Sequence, residues 1–151
     1  MKRFVFAFIL CYTVTSAFSQ SKETSMTPGA PDVVLKGFIK TYGDEKATWK
    51  ETEEGKYEAT FKLIGMPATA WFDSTGHKMK VVVEIKADQL PSIGLSYIDR
   101  NYPKWKIIKA LKWTDDKKVN TFQAEIKSGA ETKNLMFTSK GDLIKEPVKV
   151  E

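Results

Sequence analysis

The sequence predicts an α+β fold in which two helices pack on one face of a single antiparallel sheet of about eight strands. Two segments carry the four-residue apolar spacing of amphipathic helices. Each is followed by about four short segments in which apolar and polar residues alternate, as in half-buried strands. This order of one helix and about four strands occurs twice along the 151 residues. Two helices suffice to cover one face of such a sheet, so we expect the other face to be open to solvent or to a partner.

The first predicted helix covers residues 31–42. Val34, Phe38 and Tyr42 recur every four residues, which places them on one side of a helix. Pro31 suits the first position of a helix because its missing N–H has no intrahelical acceptor. Gly43 is a typical residue to end it.

The strands of the first half follow from alternation and from turn residues. The segment Tyr57–Leu63 places Tyr57, Ala59, Phe61 and Leu63 on one side and charged or polar residues on the other. Turn chemistry separates the strand segments at residues 53–56, 65–67 and 73–76. The predicted strands of this half are 48–51, 57–63, 68–72 and 79–85.

The second half repeats this order. Leu90, Ile93, Tyr97 and Tyr102 indicate a helix that opens near Asp88 and ends before Pro103. The predicted strands are 106–113, 122–126, 134–138 and 143–148. Pro147 favours an edge position or a frayed end for the last strand, since proline donates no ladder hydrogen bond.

Several equivalent residues lie 65 positions apart, and this offset indicates an internal repeat. The three matched pairs are Tyr57 with Phe122, Phe72 with Phe137 and Gly76 with Gly141. On similar grounds Trp49 is matched with Trp113 and Tyr42 with Tyr102. We therefore expect a single domain over residues 30–151, built of two repeats at about 31–87 and 88–150.

The N-terminus has the features of an export signal over residues 1–19. Lys2 and Arg3 precede an apolar run, Phe4–Val14, that is too short to cross a bilayer as a helix. Small residues then permit cleavage after Ser19 or, alternatively, after Ala17. Residues 20–29 read as a flexible leader. We expect a periplasmic or secreted protein with no membrane-spanning segment after cleavage.

Charge and cysteine content exclude several classes. The formal net charge is +5, but part of it belongs to the signal and the rest is interspersed. Arg100 is the only arginine after the signal, whereas nucleic-acid modules cluster arginine and lysine on one element. We expect no nucleic-acid partner. Cys11, the only cysteine, lies in the signal, so the mature chain forms no disulfide or thiolate metal site.

Five short motifs of this sequence resemble those of a known family. They are Trp49, the string 57–61, the string Ala70–Gly76, Leu90-Pro91 and Tyr102-Pro103. They resemble the PepSY-like group of exported bacterial proteins, which is also described as similar to the beta-lactamase-inhibitor protein. The resemblance covers about residues 31–148. It implies tandem helix-plus-sheet repeats, an envelope or secreted location and no catalytic residues. Peptidase inhibition or binding is the role usually proposed for related PepSY domains.

Motifs for catalysis or metal binding are weak. His77, the only histidine, follows a turn glycine and lacks partners for a metal or a general-base site. The string Asp73-Ser74-Thr75-Gly76 resembles an aspartic-protease loop, but that chemistry needs two such loops, and the second half has Thr138-Ser139-Lys140-Gly141. A turn capped by Asp73 is the simpler interpretation. We expect no enzyme activity, no cofactor and no metal.

The aromatic residues suggest a binding surface instead. Alternation places Phe61 and Phe72 beneath the helices, whereas Trp71 and Met136 point the other way. Trp49 and Trp113 begin the hairpins, and alternation does not decide on which face of the sheet their side chains lie. The candidate binding residues are Trp71, Met136, Trp49 and Trp113. We expect a module that recognises a protein or peptide through the open sheet face. The alternative is a periplasmic carrier of a small apolar ligand or envelope lipid. The oligomeric state stays open.

Overall fold

The structure, a computed structural model, describes residues 29–145. The predicted signal peptide, all but the last residue of the leader, and the end of the predicted strand 143–148 lie outside the described residues. The helices are α1 (Asp32–Tyr42) and α2 (Ser92–Asn101), with a 3₁₀ turn at Ala87–Gln89. The strands are β1 (Thr48–Glu51), β2 (Tyr57–Leu63), β3 (Met66–Phe72), β4 (Lys78–Ile85), β5 (Lys106–Asp115), β6 (Asn120–Ser128), β7 (Glu131–Thr138) and β8 (Leu143–Lys145).

The eight strands form one antiparallel sheet in the order β1 to β8, each paired with its neighbours in sequence. Helix α1 precedes β1, and α2 lies in the connection between β4 and β5. This confirms the α+β class and the open eight-stranded sheet. Neither helix in the described part of the chain is long and apolar enough to cross a membrane.

Both helices pack on the same face of the sheet, which we call the helix face. Val34 and Phe38 of α1 contact Ala59, Phe61 and Phe72 in one apolar cluster. On the other half, Ile98 of α2 packs with a second cluster, whose sheet members are Ala110, Ala124, Ile126, Leu135 and Phe137. The register joins the two clusters through Ala70, Val81, Ile85 and Ala110 on adjacent strands, and residues opposite each other share a face.

Glycines let each helix approach a hairpin turn closely. A Cβ atom added to Gly37 of α1 would lie 2.0 Å from the carbonyl oxygen of Gly76 in the β3–β4 turn. The corresponding turn glycine, Gly141, has φ +98, and a Cβ there would lie 2.8 Å from the backbone nitrogen of Gly94 in α2. Residues 65 apart, Gly76 and Gly141, therefore occupy equivalent positions between a hairpin and a helix.

Several predicted boundaries differ from the structure: the strands predicted at 122–126 and 134–138 extend over Asn120–Ser128 and Glu131–Thr138, and two further predictions were wrong. The helix does not open near Asp88, because Leu90 precedes Pro91 and is extended (φ −67, ψ 150). Asp88 lies instead in the 3₁₀ turn, and α2 starts at Ser92. Met66 and Pro67 were assigned to a turn, but they belong to β3 and pair with Leu63 and Lys62.

The β2–β3 turn contains a strained residue, and this gives a first prediction. Ile64 is 94% exposed and has φ +52, which a β-branched residue adopts only with strain. It is followed by Gly65 at φ +79. Asn-Gly is the preferred pair for a two-residue hairpin with two positive φ angles. We expect Ile64→Asn to stabilise the fold by about 1 kcal/mol, measured by urea unfolding. A lower midpoint would contradict it.

Candidate functional site

The sheet surface opposite the helices, which we call the open face, carries the candidate site. Cross-strand register defines its members, since Trp71 lies opposite Glu58 on β2 and Lys80 on β4. Val82 of β4 lies opposite Trp113 of β5. The apolar side chains of the open face, all half-buried, form a diagonal band across β3 to β7: Trp71, Val82, Leu111, Trp113 and Met136.

Two tryptophans stack at the centre of the band. The Trp71 and Trp113 rings are nearly parallel at 15°, with centroids 5.9 Å apart, so they meet over the intervening strand β4. The ammonium nitrogen of Lys80 lies 4.4 Å from the Trp71 centroid and 5.6 Å from that of Trp113. A cation over two indoles stabilises the arrangement electrostatically, and Lys80 itself remains exposed.

Hydrogen bonds fix both indoles in place. The Trp71 Nε1–H donates to Glu58 Oε2 at 3.0 Å. The Trp113 Nε1–H donates to Gln123 Oε1 at 3.2 Å, and Gln123 Nε2 in turn donates to Asn134 Oδ1 at 3.0 Å. The ring orientations are therefore held by a chain of polar contacts, and the open face presents an organised aromatic surface.

A cleft of about 680 Å³ opens beside Trp71. The β1–β2 hairpin forms one wall with Glu51, Glu53 and Glu54, and Met79 and Lys80 line the cleft with Trp71. Lys56 forms an ion pair with Glu54, and this contact lowers the pKa of the Glu54 carboxyl. The cleft is shallow and open, so it suits a protruding side chain or loop better than an enclosed ligand.

The four predicted site residues separate into two groups. Trp71, Trp113 and Met136 lie on the open face, although Met136 belongs to β7 and lies opposite Gln123 rather than beside the tryptophan pair. Trp49 does not belong with them. It lies opposite Ala59 on the helix face, and its ring contacts Phe38 and Phe72 with centroid distances of 5.3 and 5.9 Å.

The matching of Trp49 with Trp113 was therefore wrong. Trp113 lies opposite Thr121 on the open face. The equivalent of Trp49 in the second half is Ala110, because Ala110 lies opposite Ala124 as Trp49 lies opposite Ala59. Ala59 and Ala124 are 65 positions apart, whereas Trp49 and Ala110 are 61 apart, so the offset of 65 does not extend to the strands that precede these two hairpins.

Sequence reasoning missed the polar residues of the site. Lys80 and Glu58 lie on the strands that flank Trp71, and Gln123 lies beside Trp113. Alternation within β2 and β4 already placed Glu58 and Lys80 on the polar side. What the sequence lacked was the register that brings them next to the indoles.

The turn at residues 73–77 has the structure expected of a capped turn. Asp73 Oδ1 accepts hydrogen bonds from the Thr75 hydroxyl at 2.6 Å and from the backbone N–H groups of Thr75 and His77. The Thr75 hydrogen bond chiefly lowers the pKa of Asp73. The His77 side chain is exposed. Within residues 29–145, no group of three or more His, Cys, Asp or Glu residues could hold a metal ion.

These features define a class: an α+β protein whose helices shield one face of an open antiparallel sheet and leave an ordered aromatic surface on the other. Neither a family model nor a curated protein matches the chain.

Solved structures share the fold. A BLIP-like protein from Bacteroides fragilis matches with a TM-score of 0.69 and 19% identity, over 85% of this chain and 92% of that chain. A DUF2874 family protein from Bacteroides uniformis matches with a TM-score of 0.70 and 19% identity, over 77% of this chain and 87% of that chain. A protein of proposed periplasmic location from Bacteroides eggerthii matches with a TM-score of 0.71 and 16% identity, over 78% of this chain and 87% of that chain. The chain thus has the fold of the BLIP-like protein.

Proposed function

We propose that the chain is an exported, non-enzymatic binding module that recognises a protein or peptide through its open face. The observation that carries this proposal is the ordered Trp71–Lys80–Trp113 stack on a sheet face that neither helix covers. Aromatic residues at the centre of a surface with a polar rim are typical of protein interfaces.

The hydrogen bonds of the stack support a binding role. Indoles whose N–H groups are already satisfied by Glu58 and Gln123 lose little conformational freedom when a partner covers them. Threonines on both sides of the band supply a polar rim: Thr60, Thr69, Thr121 and Thr138 lie in one cross-strand row with Val82 and Trp113.

The carrier alternative has less support. An apolar ligand needs an enclosed cavity between helices and sheet, but rings fill this space beneath α1. Phe38 contacts Phe61 and Phe72 with centroids 5.0 and 6.0 Å apart. In the second half the Tyr97 ring lies 6.1 Å from that of Phe137.

The remaining parts of the proposal concern origin and location. Because α1 with β1–β4 and α2 with β5–β8 have the same order, and Gly76 and Gly141 hold equivalent places, we infer that the domain is an internal duplication. The signal features and the likeness to a protein of proposed periplasmic location support a periplasmic or secreted site. A PepSY-like role in binding or inhibiting a peptidase is compatible with this surface.

The test compares capture of partners by purified wild type and by Trp71→Ala/Trp113→Ala from a cell-envelope extract. We expect the variant to lose the proteins that wild type retains, because truncating a tryptophan that is a hot spot at the centre of an interface costs roughly tenfold or more in affinity. Ile39→Ala on the exposed side of α1 is the control, expected to retain them. Equal capture by a folded Trp71→Ala/Trp113→Ala variant would contradict the proposal.

A further inference from the structure

The charges of the open face differ in how far they reach into solvent. Four carboxylates on its strands β2 and β4–β6 are half-buried, whereas Glu51, Glu53 and Glu54 in the cleft wall are exposed. Two of the four are engaged internally: Glu58 accepts from Trp71, and Asp115 accepts from the backbone N–H of Val119. The other two half-buried carboxylates of the open face are Glu84 of β4 and Glu125 of β6. Six strand lysines whose side chains lie on the open face are exposed: Lys50, Lys62, Lys80, Lys106, Lys109 and Lys127.

At the end of this surface formed by Lys106, Lys109 and Lys127, recessed anions and projecting cations favour a positive outward potential, whereas exposed glutamates line the cleft at the Trp71 end. A lysine ammonium at the end of a four-carbon stem meets an approaching partner before a half-buried carboxylate does. The net charge of the whole chain is small, so the effect comes from the arrangement on this face rather than from composition.

One pair of lysines is unfavourable for the fold itself. Lys106 of β5 lies directly opposite Lys127 of β6, whereas Lys109, one step along β5 on the same face, lies opposite the half-buried Glu125. Like charges directly opposite each other in a sheet are destabilising. No carboxylate of the described residues forms an ion pair with either lysine. An anionic group placed between the two ammonium groups would turn their repulsion into attraction.

We propose that the partner of the open face is an acidic polypeptide segment whose carboxylates meet Lys106, Lys109 and Lys127 while its apolar side chains cover Leu111 and Met136. This inference rests on the proposed function and names the chemistry of the partner. The apolar band and the lysines are continuous, since Leu111 and Lys109 alternate on the same face of β5.

A polypeptide fits this surface better than a membrane or a nucleic acid. The half-buried indoles and the cleft beside Trp71 are set back from the lysine tips, where a protruding side chain reaches and a flat bilayer does not. Arginine, the preferred reader of phosphate and bases, is absent from the described strands, because Arg100 lies in α2.

The test uses an array of random twelve-residue peptides, probed with fluorescently labelled folded protein. We expect the peptides bound by wild type to be enriched in Asp and Glu, and binding to weaken as salt increases. Lys106→Glu/Lys127→Glu should lower affinity for these peptides on the order of tenfold or more. Lys36→Glu/Lys40→Glu, on the exposed side of α1, changes net charge equally and should bind as wild type does.

The single variant Lys127→Glu separates a binding role from a structural one. It replaces a repulsive cross-strand pair by an attractive one, so its thermal midpoint should rise while its affinity for the acidic peptides falls. A lysine that serves the fold would give the opposite change in stability.

Each other outcome overturns the proposal. Bound peptides without acidic enrichment, equal binding by the lysine variant, or no bound peptide would each contradict it. If non-acidic peptides bind wild type and are lost by Trp71→Ala/Trp113→Ala, the open face is a binding surface and the acidic partner is wrong. Phosphatidylglycerol vesicles form a parallel arm, and stronger capture of vesicles than of peptides would identify a lipid surface instead.

Discussion

Gly37→Ala is expected to destabilise the domain by about 3 kcal/mol or to prevent folding. The added Cβ would lie 2.0 Å from the carbonyl oxygen of Gly76, and backbone atoms cannot turn aside as a flexible side chain can. Helix α1 would have to move away from the β3–β4 turn and loosen its contacts with Phe72, and overpacking of this kind costs about 1–3 kcal/mol or more.

The expected loss of stability is opposite in sign to the usual effect of this substitution. Within a helix, glycine to alanine ordinarily stabilises by about 1 kcal/mol. Urea unfolding followed by circular dichroism measures the change, with Ser96→Ala at an exposed position of α2 as the matched helical control. A stabilised Gly37→Ala variant would mean that α1 does not lie against the turn.

Phe72→Ala is expected to reduce stability more than Trp71→Ala, and Trp71→Ala to reduce binding more, although the two residues are adjacent. Phe72 is fully buried between α1 and the sheet, so its truncation leaves a cavity and costs about 3–5 kcal/mol. Trp71 is half-buried on the open face. Its truncation should lower the free energy of unfolding by about 1–2 kcal/mol, because the hydrogen bond to Glu58 and the contact with Lys80 are lost.

Binding should change in the reverse order. At a temperature where both variants remain folded, Phe72→Ala should retain the partners of wild type and Trp71→Ala should lose them. Chemical denaturation and affinity capture on the same preparations measure both quantities. Equal stability losses would contradict the two-faced sheet, and retained capture by Trp71→Ala would contradict the role of the open face.

Local patterns were sufficient to predict much of the fold. Alternation in β2 and β3 correctly divided Phe61 and Phe72 from Trp71, because one face of these strands is buried and polar residues mark the other. The glycines at 76 and 141 indicated the equivalent turns. Helix α1 followed directly from its four-residue spacing.

The facing of Trp113 could not be predicted, because β5 contains an irregularity. Ile107 lies opposite the buried Ile126 on the helix face, and strict alternation from there would also place Trp113 on the helix face. The register shifts between Ile107 and Lys109, so one extra residue, Ile108, reverses the facing of everything that follows. This bulge places Trp113 against Trp71.

The facing of Trp49 depended on pairing alone. Strand β1 has four residues and no alternating apolar pattern, so only its register with β2 shows that Trp49 lies opposite Ala59. The polar support of the site was likewise hidden, since Gln123 meets Trp113 only after β5 and β6 pair. Contacts between strands carry this information, and local sequence does not.

The most direct test of the binding surface is site-specific photo-crosslinking in the native envelope. Benzoylphenylalanine is placed at Thr121, which lies opposite Trp113 on the open face, or at Lys36 on the exposed side of α1. We predict a discrete crosslinked protein from position 121 and none from position 36. Crosslinks from position 36 together with none from position 121 would show that partners bind the helices and that the open face is not the site.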